Sequence, residues 1–374
     1  MSKKVIISLI ILLVFVIMIA DFRLNGVRVF EDFYRHMETD SMREMYQGGF
    51  HFSGESVEKE ISPYVLEIDD NIRELKIDNI AGSIDIRGDE RDDILLSYKI
   101  TVYAKTEEIA SQFIEDLELL EEFRDDRIIL ALNDFDLIEN INGLQLDYNL
   151  RVPENIYLDL INRYGILSVQ QMVSDLELKN SYGNMELDGI IGKINLYARY
   201  GDLYVRNITG NSKIDSSYNS TEIYNIDGDM ELNSSYNENR VRDVKGNTDI
   251  RIRYGSLNIA NVEGNLDLQA QYTGIRGEQI RGKLKGNLSY GGLELRNIMQ
   301  DLDISARYTD IDINLDRNLE NFLLDISNKN KGIYTNLDFT VKEEDRTKIL
   351  QGESGNGDVQ INIDNSNGDV RINQ

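Results

Sequence analysis

The 374-residue sequence contains no cysteine, two prolines and two histidines. Without cysteine there is no disulfide, no thiolate metal ligand, no cysteine nucleophile and no lipid-attachment cysteine behind a signal sequence. The histidines, His36 and His51, both precede the region of strand periodicity. A Ser-His-Asp arrangement and a multi-histidine metal site are therefore excluded from the rest of the chain. Positive charge is also scarce, with 40 Lys plus Arg against 66 Asp plus Glu and a formal net charge of −26. Such a surface repels phosphate backbones, so no nucleic acid partner is expected. A phosphate-cradling Gly-Lys-Ser/Thr loop and a dinucleotide glycine fingerprint are missing too. No cofactor is expected. Few prolines beside 28 glycines suit many short strands joined by tight turns.

What is present is a ladder. Tyr164, Tyr182, Tyr200, Tyr218, Tyr236, Tyr254, Tyr272, Tyr290 and Tyr308 follow one another at a constant 18-residue spacing. An internal repeat of this kind dictates the fold before any local reading. With each tyrosine as position zero, +3 and +5 are mostly apolar, as in Leu167 and Val169 or Leu257 and Ile259. Position +8 is apolar as well (Met172, Ile190, Ile208, Ile226), and positions +12 and +14 are mostly so (Leu176 and Leu178, Leu266 and Leu268). Glycine follows the tyrosine at +1 in five copies and returns at +10 as Gly192, Gly210, Gly228, Gly246, Gly264 and Gly282. Each unit is two nine-residue halves, a glycine turn and then an alternating strand whose one face is buried. The glycines are expected at corners whose backbone angles a side chain would forbid.

A hexapeptide helix would have the same turn length, but its +2 position would be apolar, and here +2 holds Asn184, Asp202 and Glu238. A calcium-binding nonapeptide roll needs a dense Gly-Gly-x-Gly-x-Asp turn that the array lacks. The expectation is an all-β fold, a parallel β-solenoid with 18-residue rungs over 156–316 and two main faces. Nine rungs at about 4.8 Å give an array of roughly 40 Å.

The flanks are of a different kind. Lys3 and Lys4 precede the apolar run Val5 to Ala20, expected as an uncleaved transmembrane anchor helix (1–21) that leaves the N-terminus inside and the remainder extracytoplasmic. A juxtamembrane segment (22–62) carries Phe30, Phe33, Tyr34 and Met37 at helical spacing. Residues 63–155 are expected as an N-terminal α/β cap. There Glu74–Asp78, Ser83–Gly88 and Asp93–Ala104 alternate as strands, and a helix opens at Thr106 and runs to about Phe123. Solenoids need terminal units that hide the last rung. Residues 317–374 are expected as irregular strands and a second cap, with Val341–Arg346 as a charged connector before two Asn-Gly-Asp-Val strands.

Continuing the alternation from +12 places the tyrosines inward, beside small side chains at +16 (Ala198, Ser216, Ser234). A buried or edge stack of rings is the structural expectation; an exposed strip for glycan or cell-wall contact is the alternative. The arginines at +17, Arg163, Arg199, Arg253 and Arg307, are expected on the surface. Carboxylates are the one plentiful reactive group (Asp85, Asp202, Asp229, Asp303, Asp310), but uniform rungs without long insertions build no cleft for glycosidic chemistry. Asp358 and Asp369 read as turn residues rather than calcium ligands. No catalytic, cofactor-binding or metal residue is assigned; the tyrosines and the glycines at +10 are the structural ladder.

The Leu75–Arg87 strand–glycine–strand unit, the helix near Thr106, Leu150-Arg151-Val152-Pro153-Glu154-Asn155 and the terminal Asn-Gly-Asp-Val strands resemble the bacterial "putative adhesin" family of β-strand-repeat proteins, a family of unknown function. The likeness spans Val65 to Gln374. It implies a β-solenoid at the cell envelope. The expected function is a non-catalytic, membrane-anchored structural or adhesin-like binding module with an envelope glycan or protein as ligand. The alternatives are a self-assembling envelope scaffold and a carboxylate-dependent polysaccharide-active β-helix.

Overall fold

The structure, a computed structural model, describes residues 52–133 and 140–374. The expected anchor, the juxtamembrane helix, His36 and His51 lie outside the described residues. Among the described residues no helix is long and apolar enough to cross a membrane.

The chain divides into two compact units. One includes Thr101–Glu118 and Leu132–Leu144. It holds the single helix among the described residues, α1 (Glu107–Glu115), capped by Thr106, whose Oγ1 accepts from the Ile109 N–H at 3.4 Å. Glu107 and Glu108 sit in its first turn, where the helix dipole favours carboxylates. Ala110, Phe113 and Ile114 are buried. The helix is shorter than its apolar stripe suggests. It stops at Asp116, and Leu119–Arg124 is a strand followed by a left-handed Asp125 (φ 55°).

The second unit comprises Lys59–Ile100, Leu119–Ala131 and Gln145–Gln374 and contains every tyrosine rung. Numbered in chain order from β1 (Glu55–Glu67), the early strands are β2 (Glu74–Ala81), β3 (Ile84–Asp89), β4 (Asp93–Ala104), β5 (Leu119–Arg124), β6 (Arg127–Leu132) and β7 (Ile141–Pro153). The repeats begin with β8 (Tyr157–Tyr164), β9 (Leu167–Met172), β10 (Leu176–Tyr182) and β11 (Met185–Ile191), and continue to β17 (Glu238–Val244) in the same alternation. From β18 (Thr248–Val262) to β21 (Leu302–Leu315) the two half-rungs merge into one bent strand of 14 or 15 residues.

Neighbouring strands in the array are parallel, and residues lie beside their counterparts one repeat away until the end of β20 (Leu284–Ile298), where the register slips and Ile298 lies beside Leu315. Leu176 stands between Leu158 and Ile194 in one ladder, and Leu187 between Val169 and Val205 in the other. Positions +3, +5, +12 and +14 therefore fall above themselves and form the core, with Leu178, Leu196, Leu203 and Val205 fully buried. The chain reaches +8, the next inward position after +5, through a bend at +7. That position is left-handed in Gln171, Gly189, Asn207, Asn225, Asp243, Asn261, Gln279 and Asn297 (φ 54–71°). Asparagine and aspartate tolerate this backbone better than most side chains, and the bend turns the side chain at +8 inward.

Both ends depart from chain order. At one, β2 lies between β6 and β8, and β3 between β7 and β9, all parallel. At the other, β26 (Val359–Ser366) and β27 (Val370–Asn373) pair with β21, although β22 (Phe322–Lys329) and β23 (Ile333–Thr335) precede them in sequence. Spatially the order is β21, β26, β22, and then β25 (Thr347–Ser354) antiparallel on β22, with β24 (Val341–Glu344) antiparallel on β25. The segment expected as a charged connector is thus half of a hairpin, turned at left-handed Asp345 and Arg346. Antiparallel strands end the parallel ladder.

Candidate functional site

The nine tyrosines form one continuous stack. Eight successive ring pairs have centroids 4.8–5.0 Å apart and interplanar angles of 1–14°. The first and last rings are therefore roughly 39 Å apart, the height of eight strand spacings.

The stack is not in the core. Tyr182, Tyr200, Tyr218, Tyr272, Tyr290 and Tyr308 are 40–48% exposed, and Tyr164, Tyr236 and Tyr254 are half-buried. This corrects the inward placement, and the cause lies in the backbone. Alternation holds only while the chain stays extended, and Tyr200 through Tyr308 are left-handed (φ 52–60°). In the first two rungs the next residue takes the turn instead, with Gly165 and Gly183 at φ 135° and 147°. Either way the chain turns a corner and the ring swings out.

Inside the corner stand polar residues. Asn180 is 2% exposed, and its Nδ2 donates to the carbonyls of Gly165, Gly183 and Asn184 at 3.1, 2.8 and 2.9 Å. Further along, Ser216 Oγ donates to Asn219 Oδ1 and accepts from Asn237 Nδ2. The small side chains at +16 make room for this network, not for the rings. The Asn180 amide thus supplies a donor to corner carbonyls, of which Asn184 O also accepts the Leu167 N–H of the ladder.

The glycines at +10 have a structural explanation. A Cβ on Gly192, Gly210, Gly228, Gly246, Gly264 or Gly282 would lie 2.2–2.4 Å from the carbonyl oxygen of the rung before. Close backbone approach, more than a special φ, demands glycine here; only Gly192 and Gly210 carry a positive one. Beside them runs a ladder that spacing alone would have revealed at +11. Asn211, Asp229, Asn247 and Asn265 each accept, through Oδ1, the backbone N–H of the next rung at 2.8–3.1 Å.

The carboxylates do not converge. Asp202, Asp229 and Asp310 accept backbone N–H groups from Ser220, Asn247 and Asp369, and Asp369 accepts from Gly332. Asp85 and Asp303 are exposed on separate strands, β3 and β21. No group of three His, Cys, Asp or Glu among the described residues is placed to hold a metal. Of the arginines at +17, Arg163 departs from the surface expectation: it is 3% exposed and forms a two-pronged ion pair with Asp78. Arg253 and Arg307 are exposed. Partial burial pushes the Tyr182 hydroxyl above its usual range, and the adjoining Tyr164 and Tyr200 add to the shift. Tyr182 is therefore neutral at physiological pH.

Stacked, in-register rungs with an aromatic row along one corner define a parallel β-solenoid whose distinctive surface is a narrow, uncharged strip. The chain belongs to the Toastrack DUF4097 family, whose model matches residues 72–373. It is a family of unknown function. Two solved structures are similar. One is a putative cell adhesion protein from Clostridium sporogenes (11% identity, 84% of this chain and 99% of that one, TM-score 0.18). The other is a putative lipid binding protein from Parabacteroides distasonis (11% identity, 86% and 96%, TM-score 0.26). No curated protein matches the chain.

Proposed function

We propose that the protein is a non-catalytic, adhesin-like binding module of the cell envelope, held to the membrane by Val5–Ala20, with the tyrosine strip as its contact surface. The observation that carries this reading is the exposure of a continuous nine-ring stack. An aromatic surface of such length, kept at the solvent on a chain of net charge −26, is the kind of feature that marks an interaction site. Its edges offer C–H groups and hydroxyls at every rung, a repetitive face suited to a repetitive partner such as an envelope glycan or a fibrous protein. Asp202, Asp229 and Asp310 act as rung-to-rung acceptors, and Asp85 and Asp303 stand apart on the surface, which supports binding over bond cleavage.

Retention of envelope material by the immobilised chain tests the proposal, with Tyr218→Ala/Tyr236→Ala as the comparison. Binding that falls at least several-fold while far-ultraviolet circular dichroism and melting stay two-state is the expected result. Equal retention by the variant would remove the strip from the function. Fractionation of cells expressing the chain with and without residues 1–21 tests the anchor, which requires membrane association only in the longer form.

A further inference from the structure

Seven of the nine rings have both faces covered by neighbours, and Tyr308 has only one. Strand register identifies the residues beyond it. Arg307 pairs with Ser366 and Ser366 with Lys329, so Asn367 and then Asn330 occupy the tyrosine's place in the next two rungs. All three share the left-handed backbone, with φ of 53°, 64° and 69°. An asparagine is shorter than a phenol. The outer part of the Tyr308 ring therefore stands over a step two rungs deep, and at 48% it is the most exposed ring of the stack.

The floor of the step is a pair of amides, with Asn330 Nδ2 donating to Asn367 Oδ1 at 3.1 Å. Beyond them Tyr334, 53% exposed, folds back over Gly332, where a Cβ would meet its ring at 2.6 Å. Arg371 covers one face of Tyr334 at 5.7 Å. The rim is mixed in charge. Arg307, Lys329 and Lys331 are exposed on or beside the corner, and Asp310 and Asp369 come two positions after it. Each of those aspartates spends one oxygen on a backbone N–H.

From this arrangement we infer that the end of the tyrosine stack is a subsite for a neutral pyranose unit of a glycan. This rests on the reading of the strip as a binding surface. A pyranose has a C–H face that packs on an aromatic ring and a belt of hydroxyls that both donate and accept. Tyr308 supplies the only stack face that is open toward this step. The amides and the mixed rim supply donors and acceptors around it, as orientation-fixing polar groups do beside an apolar contact. A lone cation would meet Arg307, Lys329 and Lys331, and a lone anion would meet Asp310 and Asp369, so a neutral polyol fits this rim better than either ion.

Titration calorimetry of the full chain against neutral gluco-, manno- and N-acetylglucosamine oligosaccharides, with a uronic-acid oligosaccharide alongside, tests the inference. At least one neutral sugar should saturate. Tyr308→Ala should weaken it by about tenfold, ~1.4 kcal/mol, and Tyr308→Phe, which keeps the ring, should weaken it less than Tyr308→Ala, while Tyr197→Ala, an exposed tyrosine of β12 (Ile194–Arg199) outside the stack, stays within about twofold. Melting of each variant controls for folding. Binding by the uronic-acid sugar alone, equal affinity in Tyr308→Ala, or no saturation by any neutral sugar overturns the inference. Retention on envelope material separates it from the parent reading. Retention without saturation by any neutral sugar sinks the sugar subsite and leaves the strip as a binding surface; absence of retention sinks both.

Discussion

A side chain held at φ near +55° costs about 1–2 kcal/mol relative to the right-handed region, and seven of the stacked tyrosines sit there. Each interior ring shares two face-to-face contacts, the equivalent of one whole contact per rung. Such a contact contributes about 0.5–1.5 kcal/mol beyond area burial. Strain and stacking are therefore of similar size, and the corner is kept by the ring column more than by backbone preference. A different tyrosine matters for pH. Tyr148, on β7, is fully buried, and burial, followed by the charge of Asp78, raises its pKa well above 10.0. The unfolded chain ionises near 10.0 and the folded one does not. Its contribution is thus complete below about pH 10 and is lost as pH rises further. Tyr64 is shifted the same way, first by burial and then by its hydrogen bond to Glu121. Tyr148→Phe is expected to move the alkaline unfolding midpoint upward, read by circular dichroism from about pH 9 to about pH 12; an unchanged midpoint would refute the assignment.

At the level of strands and rungs, energies should couple only to nearest neighbours. Tyr218→Ala and Tyr236→Ala each remove two ring contacts, but together they remove three, because one contact is shared. The double variant should be less destabilised than the sum of the singles by about 0.5–1.5 kcal/mol. Tyr218→Ala with Tyr272→Ala, which share no contact, should be additive within about 0.5 kcal/mol. Urea denaturation of the six proteins, wild type included, measures both. Much of this layer is legible in the sequence, since a constant tyrosine period with apolar side chains at +3, +5, +12 and +14 leaves one register that buries them all. The ring orientation was not legible, because inference by alternation presumes extended backbone and the chain bends at the tyrosine itself. The bend at +7 did leave a signal, in the recurring asparagine of Asn207, Asn225, Asn261 and Asn297. It is visible once a left-handed position is sought.

For the molecule as a whole, a parallel ladder is vulnerable at its open edges. The described C-terminal rung is shielded by β25 running antiparallel along β22, with Phe339 edge-on to Phe322 at 6.3 Å. Removing Val341–Ser354 would bare β22 along its whole length. Sedimentation of that deletion should show association that grows with concentration relative to the intact chain, and equal behaviour of the two would show that β22 needs no cover. The sequence hid this arrangement because β21 takes β26 as its partner, Leu302 against Ile361, past four intervening strands. No local pattern encodes so distant a pairing.

That insertion carries a consequence in time. Rungs from β8 to β21 can settle one upon another in the order in which they are translated, each on a finished predecessor. β22 cannot, because its seat on the array is β26, which is translated only after β23, β24 and β25. Until then β22 has its antiparallel partner β25 but no neighbour on the array side, and β21 faces an empty slot. A solenoid that could otherwise be wound like thread thus finishes as a clasp does, by a late piece pushed between two waiting ones. Formation of the last rungs should lag the others by the slow search that long-range closure imposes.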